Sequence, residues 1–258
     1  MGRFSLKTTI KNVYVFSVLF LIFVIFTSMS TRFVSTPNIV NILRQCIPLF
    51  LVGGSVTLIM ISGNIDLSVG GILGLCSVVY SLVLKAEMGY LAASVITLLV
   101  GTFVGFINGY LVMKLKIVPL IATLATMNLS IGIGKMLTPR GVGLIKGIPR
   151  GIEEFMRNSV LFGLPAAFYI AVVVVAILVI LQKKTVIGKY AAAIGGNRTA
   201  AELSGINVVK QVWLLYVIVG FCSALAGIAR TSYLLLGDPT TGQGMEMDAI
   251  IAVVLGGT

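Results

Sequence analysis

Seven long apolar runs alternate with short polar segments along this chain, at roughly 12–31, 39–61, 66–84, 90–113, 117–136, 159–181 and 212–236. A helix needs about 20 apolar residues to cross the hydrocarbon layer of a bilayer, and each run reaches or approaches that length. Because a segment in lipid must satisfy its own backbone hydrogen bonds, the pattern predicts seven membrane-crossing helices. An eighth apolar run opens near Asp248 (AIIAVVLGGT) and is unfinished at Thr258, so residues 1–258 read as a single membrane domain with a truncated last span. The expected fold class is all-α, a polytopic transmembrane helix bundle. The first run follows Arg3, Lys7 and Lys11, yet from Val13 to Met29 it is too long for a signal-peptide core and reads as a span.

The polar island between the sixth and seventh runs, TVIGKYAAAIGGNRTAAELSGINVVKQ (185–211), is unusually ordered for a loop. Gly195 and Gly196 predict a break, Asn197 can cap a helix, Thr199 and Glu202 have capping-box spacing, and Gly205 can end it. One short helix outside the bilayer results. It would present Ala200, Ala201 and Leu203 as apolar contacts of the size a groove on a partner protein accepts.

Glycines inside the runs predict close helix packing. Gly101, Gly105 and Gly109 recur every fourth residue and form a stripe, expected to make a tight helix contact within one subunit or between two. Three polar clusters interrupt the apolar pattern. In SGNIDLSVGG (62–71), Asp66 is expensive at membrane depth; it reads as a cap for the third span, with a broken helix lining a path and an ion-binding carboxylate as alternatives. Lys114 and Lys116 mark a membrane boundary, and Pro119 is tolerated in the first turn of the fifth span. Asn108 belongs to the same polar cluster, and Thr123, Thr126 and Asn128 would enter the bundle interior, as glue between helices or as contacts for a polar solute. The segment from Gly237 to Asp248 reads as an ordered outward-facing turn, with Asp248 a possible helix cap.

Composition agrees with a membrane protein: 58% hydrophobic and 10% charged residues, with mean hydropathy +1.09. With the N-terminus inside, ten of the nineteen basic residues lie at cytoplasmic ends, a weak bias. The longest external loop, 137–158, carries much of the contrary charge. The net charge of +11 is dispersed over loops, which fits anionic lipid head groups and not nucleic acid. Cys46, Cys76 and Cys222 sit singly in apolar runs and there is no histidine, so neither a metal site nor a disulfide framework is indicated. The chain has no phosphate-binding loop, no nucleophile elbow and no catalytic cluster, so it is not expected to be an enzyme.

Four blocks together carry a resemblance: GNIDLSVGG (63–71), GFINGYLVMKLKIVPLIATLATM (105–127), TVIGKYAAAIGGNRTAAELSGINV (185–208) and GQGMEMDAIIAVVLGGT (242–258). They resemble the inner-membrane permease subunits of bacterial ATP-binding cassette sugar importers, the ribose-type branch related to branched-chain amino acid permeases. Ala125, Met245 and Met247 depart mildly from that pattern. The resemblance implies a multi-pass protein of the bacterial inner membrane that imports a ribose-like sugar. Its implied partners are cytosolic ATP-binding subunits, a second permease copy or a paralogue, and an extracytoplasmic sugar-binding protein, in contact with membrane lipids. No cofactor is expected on this chain, since ATP is bound by the partner subunit. Gly195, Gly196, Asn197, Ala200, Ala201, Glu202, Leu203 and Gly205 are implied to form the cytoplasmic coupling helix. Asn64, Asp66, Asn108, Thr123 and Thr126 are weaker candidates for the translocation path. The rival reading is an ion-coupled secondary transporter using Asp66.

Overall fold

The computed structural model describes residues 6–138, 147–148, 151, 159–161 and 163–257. Five helices come first: α1 (Leu6–Met29), α2 (Thr36–Ile61), α3 (Val69–Lys85), α4 (Tyr90–Met113) and α5 (Pro119–Leu137). A two-stranded antiparallel hairpin, β1 (Ser159–Leu161) with β2 (Leu164–Pro165), precedes α6 (Ala166–Lys184). Then follow α7 (Val186–Gly196), α8 (Arg198–Leu203), α9 (Val208–Leu234) and α10 (Met245–Leu255). The fold is an all-helical bundle. The seven apolar runs become α1 to α6 and α9. The sixth helix starts later than its hydropathy suggests, because residues 159–165 fold back on themselves through Gly163, whose φ of +76° favours glycine. Most of the 137–158 loop lies outside the described residues.

Among the described residues, α2, α4, α5, α6 and α9 are long and apolar enough to cross a membrane. At 17 residues α3 is shorter, and its surroundings explain why. Every residue from Val69 to Val78 is buried, so this helix meets protein on all sides and not lipid. It also starts inside the bilayer. The Leu67 N–H donates to Thr123 Oγ1 at 3.1 Å, and Asn108 Nδ2 donates to Ser68 Oγ at 2.7 Å. Thr123 is four residues into α5 and Asn108 five residues from the end of α4, so α3 begins about 6–8 Å within the bundle at 1.5 Å per residue. Next to it, Gly71 lies against the backbone of Met127, near the middle of α5. The discontinuity between α2 and α3 is therefore at membrane depth, tolerated because it is enclosed by protein.

The tightest seam joins α4 to α9. A Cβ added at Gly101 would sit 2.6 Å from Ala224 Cβ, one at Gly105 would meet the Tyr216 carbonyl and the Gly220 Cα, and one at Gly109 would strike the Trp213 indole. The predicted glycine stripe is an intrachain contact, and Gly220 answers it from the other helix. Along the same seam, Trp213 Nε1 donates to the Phe106 carbonyl at 2.9 Å and its ring stacks obliquely on Phe106 at 4.8 Å. Val52, Val56 and Ile59 of α2 complete the core with Val212, Leu215 and Val219 of α9 and with Leu178 of α6. From Phe16 onward nearly all of α1 is exposed, so that helix stands at the periphery.

Candidate functional site

The polar island forms two helices, not one. Gly195 and Gly196 do not break the chain: α7 continues through both and ends at Asn197, whose backbone turns extended (φ −158°, ψ 103°). Asn197 is the predicted cap; its Oδ1 accepts the Ala200 N–H at 2.9 Å. At the other end of α8, Gly205 N–H reaches the Glu202 carbonyl and Ile206 N–H the Ala201 carbonyl, with Gly205 at φ +82°. This paired closure is the Schellman arrangement, which glycine alone adopts without a steric cost. The Thr199 and Glu202 capping box does not form, because Asn197 already occupies the cap and Glu202 pairs with Arg198 at 3.3 Å. Ala200 and Leu203 are exposed, Leu203 at 85%, whereas Ala201 is buried against the bundle and is not a surface contact.

Behind α8, α7 touches the helix break directly. Any side chain at Gly195 would fall on the Ile61 carbonyl at the end of α2, and a Cβ added at Gly63, at φ +77°, would lie 3.8 Å from the Gly195 Cα. Gln211 Nε2 donates to the Ile187 carbonyl at 2.9 Å and ties α7 to the start of α9. Tyr190, Asn207, Lys210 and Lys114 border one groove, so the boundary lysine after α4 and the end of the bundle that carries α7 and α8 lie together.

Within the break, Asp66 does not cap α3. Its Oδ1 accepts the backbone N–H of Ser68 at 2.7 Å and the Ser68 hydroxyl, bracing the turn before the helix, while Ser68 itself stands at the helix start. Asn108 reaches the same hydroxyl, Thr123 accepts from Leu67, and Tyr216 Oη donates to the Ile65 carbonyl at 3.3 Å. Asp66, Ser68, Asn108 and Thr123 are all fully buried, so they form one closed polar junction. Asp66 Oδ2 and Asn108 Oδ1 are buried there without a hydrogen-bond partner among the described residues. Asn64, also buried, bonds Ser62 at the end of α2 and makes no hydrogen bond to this junction among the described residues, while Thr126 bonds back to the Thr123 carbonyl. Asn128 stays outside; it is exposed and bonds its own helix at the Leu124 carbonyl.

The largest departure from expectation lies between α9 and α10. The segment from Gly237 to Gly244 is not an outward turn but runs down the side of α3 into the bundle. Gly237 packs on Ser81, Pro239 on Gly74 and Gly242 on Gly70, with the Asp238 N–H donating to Ser77 Oγ at 3.2 Å. From Ser81 to Gly70 is eleven residues of α3, about 16 Å of depth. From α5, Gly134 meets Pro239 as well. The insertion brings Gln243 and Asp248, both exposed, and the half-buried Glu246 to membrane depth. Asp248 does not cap α10, which begins at Met245; with Glu246 it lies in the first turn, where an acid favours the helix dipole. These residues were missed because the glycines and the proline signal a turn but not where that turn goes.

The comparisons with known proteins bear on this geometry. Residues 38–258 match the family described as the permease component of the branched-chain amino acid transport system. The chain belongs to this permease family. The match includes the break, α7 and α8, and the inserted segment. Among curated relatives, the ribose import permease of Haemophilus influenzae is 37% identical over 94% of this chain and 76% of its own. That of Bacillus subtilis is 38% identical over 93% and 74%. The autoinducer 2 import permease of Escherichia coli (strain HS) is 35% identical over 92% and 68%. No solved structure matches. The permease is a multi-pass membrane protein, and the ion-coupled alternative built on Asp66 loses its ground. Two residues noted as departing from the pattern, Ala125 and Met247, are exposed and leave the buried junction intact.

Proposed function

We propose that this chain is the membrane subunit of an ATP-driven importer that carries a ribose-like sugar. It works as a pair with a second copy or a paralogue, on two cytosolic ATP-binding subunits, and receives solute from an extracytoplasmic binding protein. In this reading ATP is held by the cytosolic subunits and the permease supplies movement.

The observation that carries the proposal is the contact between Gly195 and the end of α2. A short helix capped at both ends, with Ala200 and Leu203 exposed, moves as a rigid unit when a partner pushes it. The push passes without slack through Gly195 to Ile61 and Ser62, then through the braced turn at Asp66 and Ser68 to α3. Because the inserted segment rides on α3, the same displacement reaches Gln243 and Asp248. Polar groups exposed at that depth are costly against lipid and are at home beside a wet path or a partner subunit. In this reading the buried junction of Asp66, Asn108 and Thr123 serves as the hinge of that movement.

The test combines co-purification with uptake. Detergent-solubilised permease is mixed with candidate ATP-binding subunits, and reconstituted complexes are assayed for ATP-dependent uptake of labelled ribose. Ala200→Glu is expected to abolish both ATPase binding and uptake while the bundle stays folded. ATPase binding that survives Ala200→Glu and Leu203→Glu would refute the assignment of α8 as the docking helix; uptake driven by an ion gradient without ATP would sink the importer reading. The similarity to an autoinducer 2 import permease supports autoinducer 2 as a second solute, which competition against labelled ribose distinguishes.

A further inference from the structure

On the outer flank of the α4–α9 seam, at the end that carries the docking element, lies an open groove of about 780 Å³. That volume is within the roughly 300–1,000 Å³ typical of ligand clefts. Its lining is graded by depth. Lys114 and Lys210 border its outer end, one just past the last turn of α4 and the other in the first turn of α9, with Tyr190 beside them. Phe106, Trp213 and Val217 line the inner end. Phe106 is eight residues from Lys114 and Val217 is seven from Lys210, so the apolar floor lies about 10–12 Å deeper than the charges. Among the described residues, two cations and no acid line the groove.

A charged rim at the membrane boundary above an apolar floor matches an amphiphile with an anionic head and a hydrocarbon chain. We propose that this groove is a selective site for an anionic phospholipid, with the head-group phosphate between Lys114 and Lys210 and an acyl chain against Phe106, Trp213 and Val217. Basic recesses between helices at a membrane boundary bind such head groups, and Lys and Trp are the residues that settle at that level. The glycine seam makes the groove rigid. Gly109 seats the Trp213 ring, and the bond from Trp213 Nε1 to the Phe106 carbonyl locks its orientation, so the floor is formed before a lipid arrives. Because Lys210 is in the first turn of α9 and Tyr190 is part of α7, an occupied site would also steady the docking element from its lipid side.

Trp213 is the only tryptophan in the chain, so the protein carries its own reporter. The permease is reconstituted into vesicles of phosphatidylcholine containing a small fraction of brominated lipid, either phosphatidylglycerol or phosphatidylcholine, and Trp213 fluorescence is followed. Brominated phosphatidylglycerol is expected to quench with an apparent affinity about fivefold or more above that of brominated phosphatidylcholine. The preference should weaken at high salt. It should vanish in the Lys114→Gln, Lys210→Gln double variant and return in Lys114→Arg, Lys210→Arg, which separates lost charge from lost fold. Equal quenching by the two lipids would overturn the proposal, leaving the lysines to serve a protein surface. So would the absence of quenching by either lipid, which would mean that another subunit covers the groove, or a preference that persists in the Gln pair.

Discussion

A single methyl group separates tolerated from intolerable at several positions, and the contrast is measurable. Gly105 has the Tyr216 carbonyl and the Gly220 Cα (3.1 Å) where a Cβ would go, whereas Gly53 in α2 has open space. Gly105→Ala should destabilise the permease by about 1–3 kcal/mol through overpacking. Gly53→Ala should be neutral or stabilising by up to about 1 kcal/mol, because it removes unfolded-state freedom at a compatible helix position. Thermal melts in detergent compare the two directly. Asp66 offers a second residue-scale test. Asp66→Asn keeps the Oδ1 acceptor for Ser68, so folding and ATP-driven uptake are expected to survive, while Asp66→Ala leaves the buried Ser68 N–H unpaired at about 1–3 kcal/mol. If Asp66→Asn abolished uptake without lowering the melting point, the carboxylate would be a transport group and not a brace. The residue types around this site were readable in the chain as a costly acid among glycines. Their roles were not, since the Asp66 bond to Ser68 competes with helix capping on equal local terms, and the contact from Asn108 decides between them.

At the scale of the element, α8, the proposed docking helix, is held by its ends. With six residues α8 is too short to persist by propensity alone, so its order depends on Asn197 and on the Gly205 closure. Asn197→Ala should cost about 1 kcal/mol locally. Gly205→Ala should cost a comparable amount, about 1 kcal/mol, for a left-handed backbone. Hydrogen exchange is expected to rise across 198–206 in either variant, ATPase affinity to fall, and the melting of the bundle to stay near that of wild type. An unchanged exchange pattern would show that the surrounding bundle, and not the caps, orders the helix. Both caps were legible because capping is a contact among neighbours in sequence. That α7 runs through Gly195 and Gly196 was not, because a glycine pair reads as a breaker unless a close neighbour is known, and here Ile61 is that neighbour.

For the whole molecule, the inserted segment sets the strongest expectation. In a background with Cys46, Cys76 and Cys222 replaced by alanine, single cysteines at Gln243 and Asp248 should react with small water-soluble thiol reagents despite lying at membrane depth. Solute should protect them, and modification should block uptake. A cysteine at Leu99, exposed on α4 toward lipid, should not react. If Gln243→Cys and Asp248→Cys were as inert as Leu99→Cys, these side chains would face lipid or a sealed subunit interface, and the path would run elsewhere.

What the sequence determined by itself was set by short-range physics. Each span had to satisfy its own backbone in lipid, so hydropathy placed α2 to α5 to within about three residues at each end, in line with the usual spread of helix boundaries. The caps of α8 and the small-residue stripe of α4 were likewise local patterns. Only the tertiary structure decided what those patterns meet: that the Gly101, Gly105 and Gly109 face is answered by Gly220 and Trp213, that Asp66 lies in a closed junction, and that Gly242 lies beside Gly70. Apart from the local bond between Asp66 and Ser68, these pairings join residues from 40 to more than a hundred positions apart. The energy that selects them comes from close backbone packing and from burial of polar groups, which neither hydropathy nor capping preference contains.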